Sequence, residues 1–148
     1  MIPILKRHFA LWASALLLIA SETQAATWFS LEVPLSANAV TVEVDLESLR
    51  SRGDKRDVST RITYPQVQKK QDISFQSVIA ELEISCNSDL DAWKSVSFFL
   101  NSSAKGNPLS TENYGAAGLP RSGLKLLPEK AWTHLQRSAC GKTATTDP

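Results

Sequence analysis

The chain has 148 residues, and its 16 basic residues are almost balanced by 15 acidic ones. This length suits one domain with its own hydrophobic core. The even balance of charge argues against nucleic acid as a partner, because phosphate binding needs a basic surface or stripe.

The first 25 residues are ordered like a secretory signal peptide. A basic pair at residues 6–7 precedes an apolar run over residues 9–20, and Thr23-Gln24-Ala25 supplies small residues for cleavage. The run is shorter than the roughly 20 apolar residues of a membrane-spanning helix. The sequence therefore predicts a signal peptide over residues 1–25, no membrane span, and export to the periplasm or the cell surface. Cleavage removes two basic residues and one acidic residue, which leaves 14 of each.

Two cysteines, Cys86 and Cys140, lie beyond the predicted signal peptide. An even number of cysteines in an exported chain predicts a disulfide, whereas a metal site needs further Cys or His at close spacing. His134 is the single histidine after cleavage, and one histidine on a short helix is a weak catalytic candidate. No glycine-rich phosphate loop occurs. We therefore expect no metal, no cofactor and no enzymatic activity.

Most of the chain after residue 25 has the pattern of β-strands. Alternation of apolar and polar residues is typical of strands with one buried face. A long apolar segment in the middle of the chain predicts a central strand. The predicted strands cover residues 27–33, 39–46, 58–64, 72–86 and 92–101.

Three interruptions of this pattern are expected. Asp45–Leu49 predicts one helical turn, because Asp45 or Ser48 can accept hydrogen bonds from unpaired backbone amides. Pro65 is expected to end the third strand. The apolar residues change parity near Gln76-Ser77, which predicts a bulge there or a strand buried on both faces at its start.

The last third of the chain predicts irregular structure followed by a helix. Residues 102–127 are rich in Asn, Ser, Gly and Pro, with room for one short edge strand. Pro128 suits the first position of a helix that reaches Cys140, and Gly141 supplies a stop. The predicted fold is α+β: an antiparallel sheet of about five or six strands, one C-terminal helix packed on it, and one disulfide. Residues 26–141 form this domain, and residues 142–148 are expected to be a disordered tail.

Cations cluster at the predicted reversal between the second and third strands. The cluster contains the Arg-Gly-Asp tripeptide that integrins recognise, but turns favour Gly and Asp for backbone reasons alone. A solvated loop is the plain alternative to a binding patch. We name this segment the basic turn, and its candidate ligand residues are Arg50, Arg52, Gly53, Asp54, Lys55 and Arg56.

The order of these features resembles the surface-adhesin protein E family of Gram-negative exported proteins. The residues that carry the likeness are Trp28, the block Val42–Leu49 followed by Arg52-Gly53-Asp54, Ser77 in the strand that ends at Cys86, and the closing segment Leu135–Cys140.

The resemblance implies an antiparallel sheet backed by a C-terminal helix and held by a disulfide between Cys86 and Cys140. It also implies a non-enzymatic binding module, adhesin-like towards host matrix proteins or another envelope protein, and a homodimer. The alternative left open is a periplasmic enzyme or enzyme inhibitor whose site is assembled only in three dimensions.

Overall fold

The computed structural model describes residues 26–31 and 40–141 as an antiparallel sheet with one C-terminal α-helix. The predicted signal peptide and the predicted tail lie outside these residues. A 3-10 turn, Arg121–Gly123, precedes the helix. The elements are β1 (Trp28–Ser30), β2 (Thr41–Arg52), β3 (Lys55–Lys70), β4 (Ile73–Ser85), β5 (Ala92–Phe99), β6 (Ser110–Asn113), β7 (Leu119–Pro120) and α1 (Glu129–Cys140).

The strands follow one another across the sheet in chain order from β1 to β6, and β7 pairs with β5 as well. The long strands β3 and β4 therefore occupy the centre, as predicted for the apolar segment. Val42, Ile62, Val78 and Phe98 lie side by side on four neighbouring strands. All four are buried, because strand alternation puts one face of each strand towards the core.

Helix α1 covers this apolar face. Its buried residues are Ala131, Trp132 and Leu135, and the Trp132 ring meets Trp93 edge to face with 5.2 Å between centroids. Pro128 precedes the helix, and Gly141 follows it with a φ of 64°, a conformation that glycine adopts without strain.

A disulfide joins Cys86, just after β4, to Cys140, the last residue of α1, with 5.5 Å between the Cα atoms. It thus ties the end of the helix to the end of a central strand. The predicted α+β fold, with its sheet, its single C-terminal helix and its disulfide, is confirmed.

The helical turn predicted at Asp45–Leu49 is wrong, because β2 continues through this segment with a bulge. The pairing jumps from Asp45 opposite Ser59 to Arg50 opposite Asp57. The polar side chains act as predicted but on a strand: Asp45 Oδ1 accepts from the Glu47 amide at 3.0 Å, and Ser48 Oγ accepts from the Ser59 amide at 2.8 Å. These bonds replace the missing bonds of the ladder.

The predicted end of the third strand at Pro65 is also wrong, because β3 continues to Lys70. Pro65 lies between Thr63, which pairs with Ser77, and Gln68, which pairs with Phe75. A proline is tolerated there because the strands are out of register and no ladder bond needs its missing N–H. The irregularity predicted near Gln76-Ser77 is present, and the extra residues lie on β3.

Candidate functional site

The basic turn lies at the tip of the hairpin formed by β2 and β3. Arg52 and Lys55 form the last pair of the ladder, and Gly53 takes a φ of 61° in the reversal. The Asp54 carbonyl oxygen accepts from the Cys86 amide at 2.8 Å. This hydrogen bond holds the tip of the hairpin against the end of β4. The disulfide of Cys86 links the same point to α1.

Two of the four cations in the basic turn are paired with carboxylates of the sheet. Arg52 holds Asp57 through Nε at 2.6 Å and Nη2 at 2.8 Å, and its Nη2 also donates to Glu83 at 3.0 Å. Lys55 Nζ donates to the other oxygen of Glu83 at 2.6 Å. Lys94 approaches the same carboxylate at 3.8 Å.

These contacts keep both carboxylates ionised. The hydrogen bond from Arg52 lowers the pKa of Asp57 against the effect of burial. Burial by itself would raise the pKa of Glu83, but the contacts with Lys55, Lys94 and Arg52 outweigh it and lower the pKa. The charges of Arg52 and Lys55 are therefore largely neutralised within the protein.

Arg50 and Arg56 are arranged differently from Arg52. Arg50 Nη1 donates to the carbonyl oxygens of Glu47 and Leu49 at 2.6 and 3.1 Å. Arg56 Nη1 donates to those of Gly53 and Lys55 at 2.8 and 2.9 Å. Within residues 26–31 and 40–141, neither guanidinium has an acceptor at Nε or Nη2. We call such a group an open fork, because the edge that can bind an anion is unoccupied.

The same edge binds carboxylates elsewhere in this sheet. Arg61 holds Glu43 through Nε at 2.6 Å and Nη2 at 2.7 Å, as Arg52 holds Asp57. Paired N–H groups of a guanidinium match the two oxygens of a carboxylate. The open forks of Arg50 and Arg56 can therefore bind a carboxylate or a similar oxyanion from a partner.

An apolar slot of about 70 Å³ lies beside the β2 bulge, between the sheet and the last turns of α1. Phe29 and Leu46 on its rim are 49% and 52% exposed. Sequence reasoning missed this slot, although the apolar Leu46 and Leu49 within the predicted helical turn were a signal for it. The slot is lined by Phe29, Leu31, Val44, Leu46, Leu49, Val58, Leu135, Ser138 and Ala139.

The buried carboxylate Asp91 serves the structure of the β4–β5 connection. Burial raises its pKa, against the hydrogen bond from the Ser85 amide at 2.9 Å and the charge of Arg121 at 3.4 Å. Its side chain has no exposed surface, so it cannot reach a substrate. In the part of the chain that the structure describes, no group of three or more His, Cys, Asp or Glu could hold a metal ion.

A larger cavity of about 600 Å³ opens at the start of α1, between Tyr64 and Trp132. The Tyr64 hydroxyl donates to the Leu126 carbonyl oxygen at 2.6 Å, and burial raises its pKa. Arg121 at the rim pairs with Glu129 at 2.8 Å. Tyr64, Arg121 and Glu129 are thus already paired within the protein, and His134 does not line the cavity.

The fold and the hairpin together define a small α+β domain, closed by a disulfide, that presents oriented guanidinium groups. A family model for surface-adhesin protein E matches residues 28–140, and the chain therefore belongs to that family. The predicted family is confirmed, and membership indicates an adhesin-like protein that is exported or located at the surface.

No curated protein and no solved structure matches the chain. Among the helices of the described residues, none combines the length and the apolar character needed to cross a membrane.

Proposed function

We propose that this protein is an exported, non-enzymatic binding module that attaches to a host matrix protein through the basic turn. The observation that carries the proposal is the pair of open forks at Arg50 and Arg56. Each guanidinium is fixed by two backbone carbonyls and offers its remaining edge to an anion. Family membership supports an adhesin-like role.

The rigidity of the hairpin supports the same role. A binding group that is already ordered loses less conformational entropy when a partner docks. The bond from the Cys86 amide to Asp54 and the contacts of Arg52 and Lys55 with Glu83 fix the turn before any ligand arrives. Reversals between strands are also where rigid scaffolds commonly carry binding residues.

We propose different roles for the cations of the basic turn. Arg50 and Arg56 contact the ligand, whereas Arg52 and Lys55 hold the turn. The Arg-Gly-Asp tripeptide is a weaker explanation, because the Arg52 guanidinium is bound to Asp57 and Glu83. The enzyme alternative has less support, because among the described residues the one carboxylate with a raised pKa is the inaccessible Asp91.

A binding assay with immobilised vitronectin, laminin and heparin tests the proposal. The variant with Arg50→Ala and Arg56→Ala should bind at least about tenfold more weakly, since a hydrogen bond to a charged group contributes about 1.5–3 kcal/mol. Binding of the wild type should weaken with salt, because the screening length falls from about 10 Å at 0.1 M to about 3 Å at 1 M.

The matched control carries Lys105→Ala and Lys130→Ala, which removes two exposed cations away from the basic turn. It should bind like the wild type. If the wild type binds neither vitronectin nor laminin, or if both double variants bind equally well, the proposal is wrong. Loss of attachment to integrin-bearing cells only with Arg52 and Asp54 replaced would support the tripeptide instead.

A further inference from the structure

The β2 bulge builds one wall of the apolar slot. Four residues, Leu46–Leu49, lie opposite Val58 alone, because the register jumps between Asp45 and Arg50. The bulge is held by the hydrogen bonds at Asp45 and Ser48 described above. It therefore carries Leu46 and Leu49 to the slot on a fixed backbone.

The slot has a buried floor and an exposed rim. Val58 and Leu135 on the floor are each 2% exposed, while Phe29 and Leu46 on the rim are about half exposed. Its volume is about 70 Å³. Small-molecule sites have about 300–1,000 Å³. The slot thus fits a single apolar side chain of a larger partner.

The open fork of Arg50 is anchored to the wall of this slot. Its Nη1 donates to the carbonyl oxygens of Glu47 and Leu49, which belong to the bulge itself. The acidic side chain of the bulge, Glu47, accepts a hydrogen bond from Thr27 Oγ1 at 3.2 Å. An apolar pocket and an anion-binding edge therefore share one rigid piece of backbone.

We infer that the apolar slot and the open fork of Arg50 form one docking site for a protein segment in which one apolar side chain stands next to a carboxylate. The inference rests on the proposed function and names the chemistry of the partner. The apolar side chain fills the slot and excludes water. The carboxylate binds the Nε and Nη2 edge of Arg50, in the way that Glu43 binds Arg61.

The two contacts reinforce each other. Removing water from around a charged pair lowers the local dielectric constant and strengthens the attraction. Interfaces commonly place such an apolar anchor at the centre and polar pairs at the rim. A segment with only one of the two groups should therefore bind much more weakly than a segment with both.

The first test is an NMR titration of the isotope-labelled full chain with three blocked dipeptides: leucyl-aspartate, leucyl-asparagine and alanyl-aspartate. Leucyl-aspartate should shift the amide signals of Leu46, Leu49, Arg50 and Ala139. The other two should bind about tenfold more weakly, because each lacks one of the contacts. Equal shifts with all three peptides, or no shifts at these amides at millimolar peptide, would overturn the inference.

The second test measures binding of slot and fork variants to immobilised vitronectin and laminin. Leu46→Ser should weaken binding, whereas Leu100→Ser, at another leucine that is 58% exposed, should not. Arg50→Lys keeps the charge but loses the paired N–H groups, so it should bind about as poorly as Arg50→Ala. Wild-type binding by Leu46→Ser and Arg50→Lys would refute the docking site.

The two tests separate the inference from the proposed function. If the wild type binds neither matrix protein but leucyl-aspartate shifts the slot amides, the proposed function fails and the site stands. If Arg50→Ala with Arg56→Ala abolishes attachment while Leu46→Ser leaves it intact, the proposed function stands and the slot is not part of the contact.

Discussion

Replacing Cys86 and Cys140 by serine should lower the free energy of unfolding by about 4 kcal/mol. The two cysteines are 54 residues apart in sequence. In the chain-entropy model, closing a loop of this length removes about 14 cal/mol/K from the unfolded chain, or about 4 kcal/mol at 25 °C. This is a large part of the roughly 5–15 kcal/mol that a domain has in total.

The native contacts around the bond should survive its removal. Helix α1 still buries Trp132 and Leu135 against the sheet, and Gln136 Nε2 still donates to the Ser85 carbonyl oxygen at 2.8 Å. The variant should therefore fold, with most of the loss arising in the unfolded state. The last turn of α1, beyond Leu135, should fray first, because its residues are only half-buried or exposed.

Urea unfolding followed by circular dichroism measures the loss in the double variant. Wild-type protein treated with a reductant should show nearly the same decrease, which controls for the serine side chains. A loss under about 1 kcal/mol in both samples, against the usual 2–5 kcal/mol, would refute the reasoning.

Two further predictions concern polar groups of the sheet. Thr60 is fully buried, and its hydroxyl has no partner among the described residues, so Thr60→Val should raise the urea midpoint and add about 1 kcal/mol of stability. Glu83 has a pKa below its usual 4.5, so its contacts stabilise the fold above that pH and are lost as the pH falls through the lowered value. Glu83→Gln should therefore lower the free energy of unfolding by about 1 kcal/mol at pH 7. The value is small because solvent screens the exposed partners Arg52 and Lys55. The difference from the wild type should shrink as the pH falls below 4.5 and vanish once the pH is below the lowered pKa of Glu83. An unchanged midpoint for Thr60→Val, or a constant difference for Glu83→Gln, would contradict the respective prediction.

The parts of the fold that depend on local physics could be predicted from the sequence. Val42 and Val44 alternate with polar neighbours, and both are buried on the core face. Pro128 and Gly141 mark the two ends of α1 because one fits the start of a helix and the other its left-handed stop. These signals lie within a few residues of the structure that they specify.

The errors at Asp45–Leu49 and Pro65 have a common cause. Both segments are bulges in long strands, and a bulge is defined by the residue across the ladder. Four residues of β2 face Val58, and four residues of β3 face Gln76. The sequence of one strand does not specify its register with the neighbouring strand. The local pattern therefore indicated a helical turn at Asp45–Leu49 and a strand end at Pro65.

The position of the basic turn could be predicted from the sequence. Which of its cations are paired with carboxylates and which are open forks could not. Arg52 and Lys55 are neutralised by Glu83, which lies 31 and 28 residues further along the chain. The alternation of β4 places Glu83 on the polar face, but only the register of three strands brings it to the hairpin. The slot depends in the same way on Phe29, Leu46 and Leu135, which belong to three separate elements.

The pairing of Arg52 and Lys55 with carboxylates also affects which ligand the basic turn can bind. With Arg52 and Lys55 bound to Asp57 and Glu83, the tip has little net charge, so it exerts a weak field at long range. A polyanion such as heparin gains most from many unpaired charges, and this surface does not supply them. A protein with one well-placed carboxylate gains from a single oriented guanidinium. The proposed site should therefore prefer vitronectin or laminin to heparin, and tighter binding of heparin would indicate that Arg52 and Lys55 leave their carboxylates when the ligand docks.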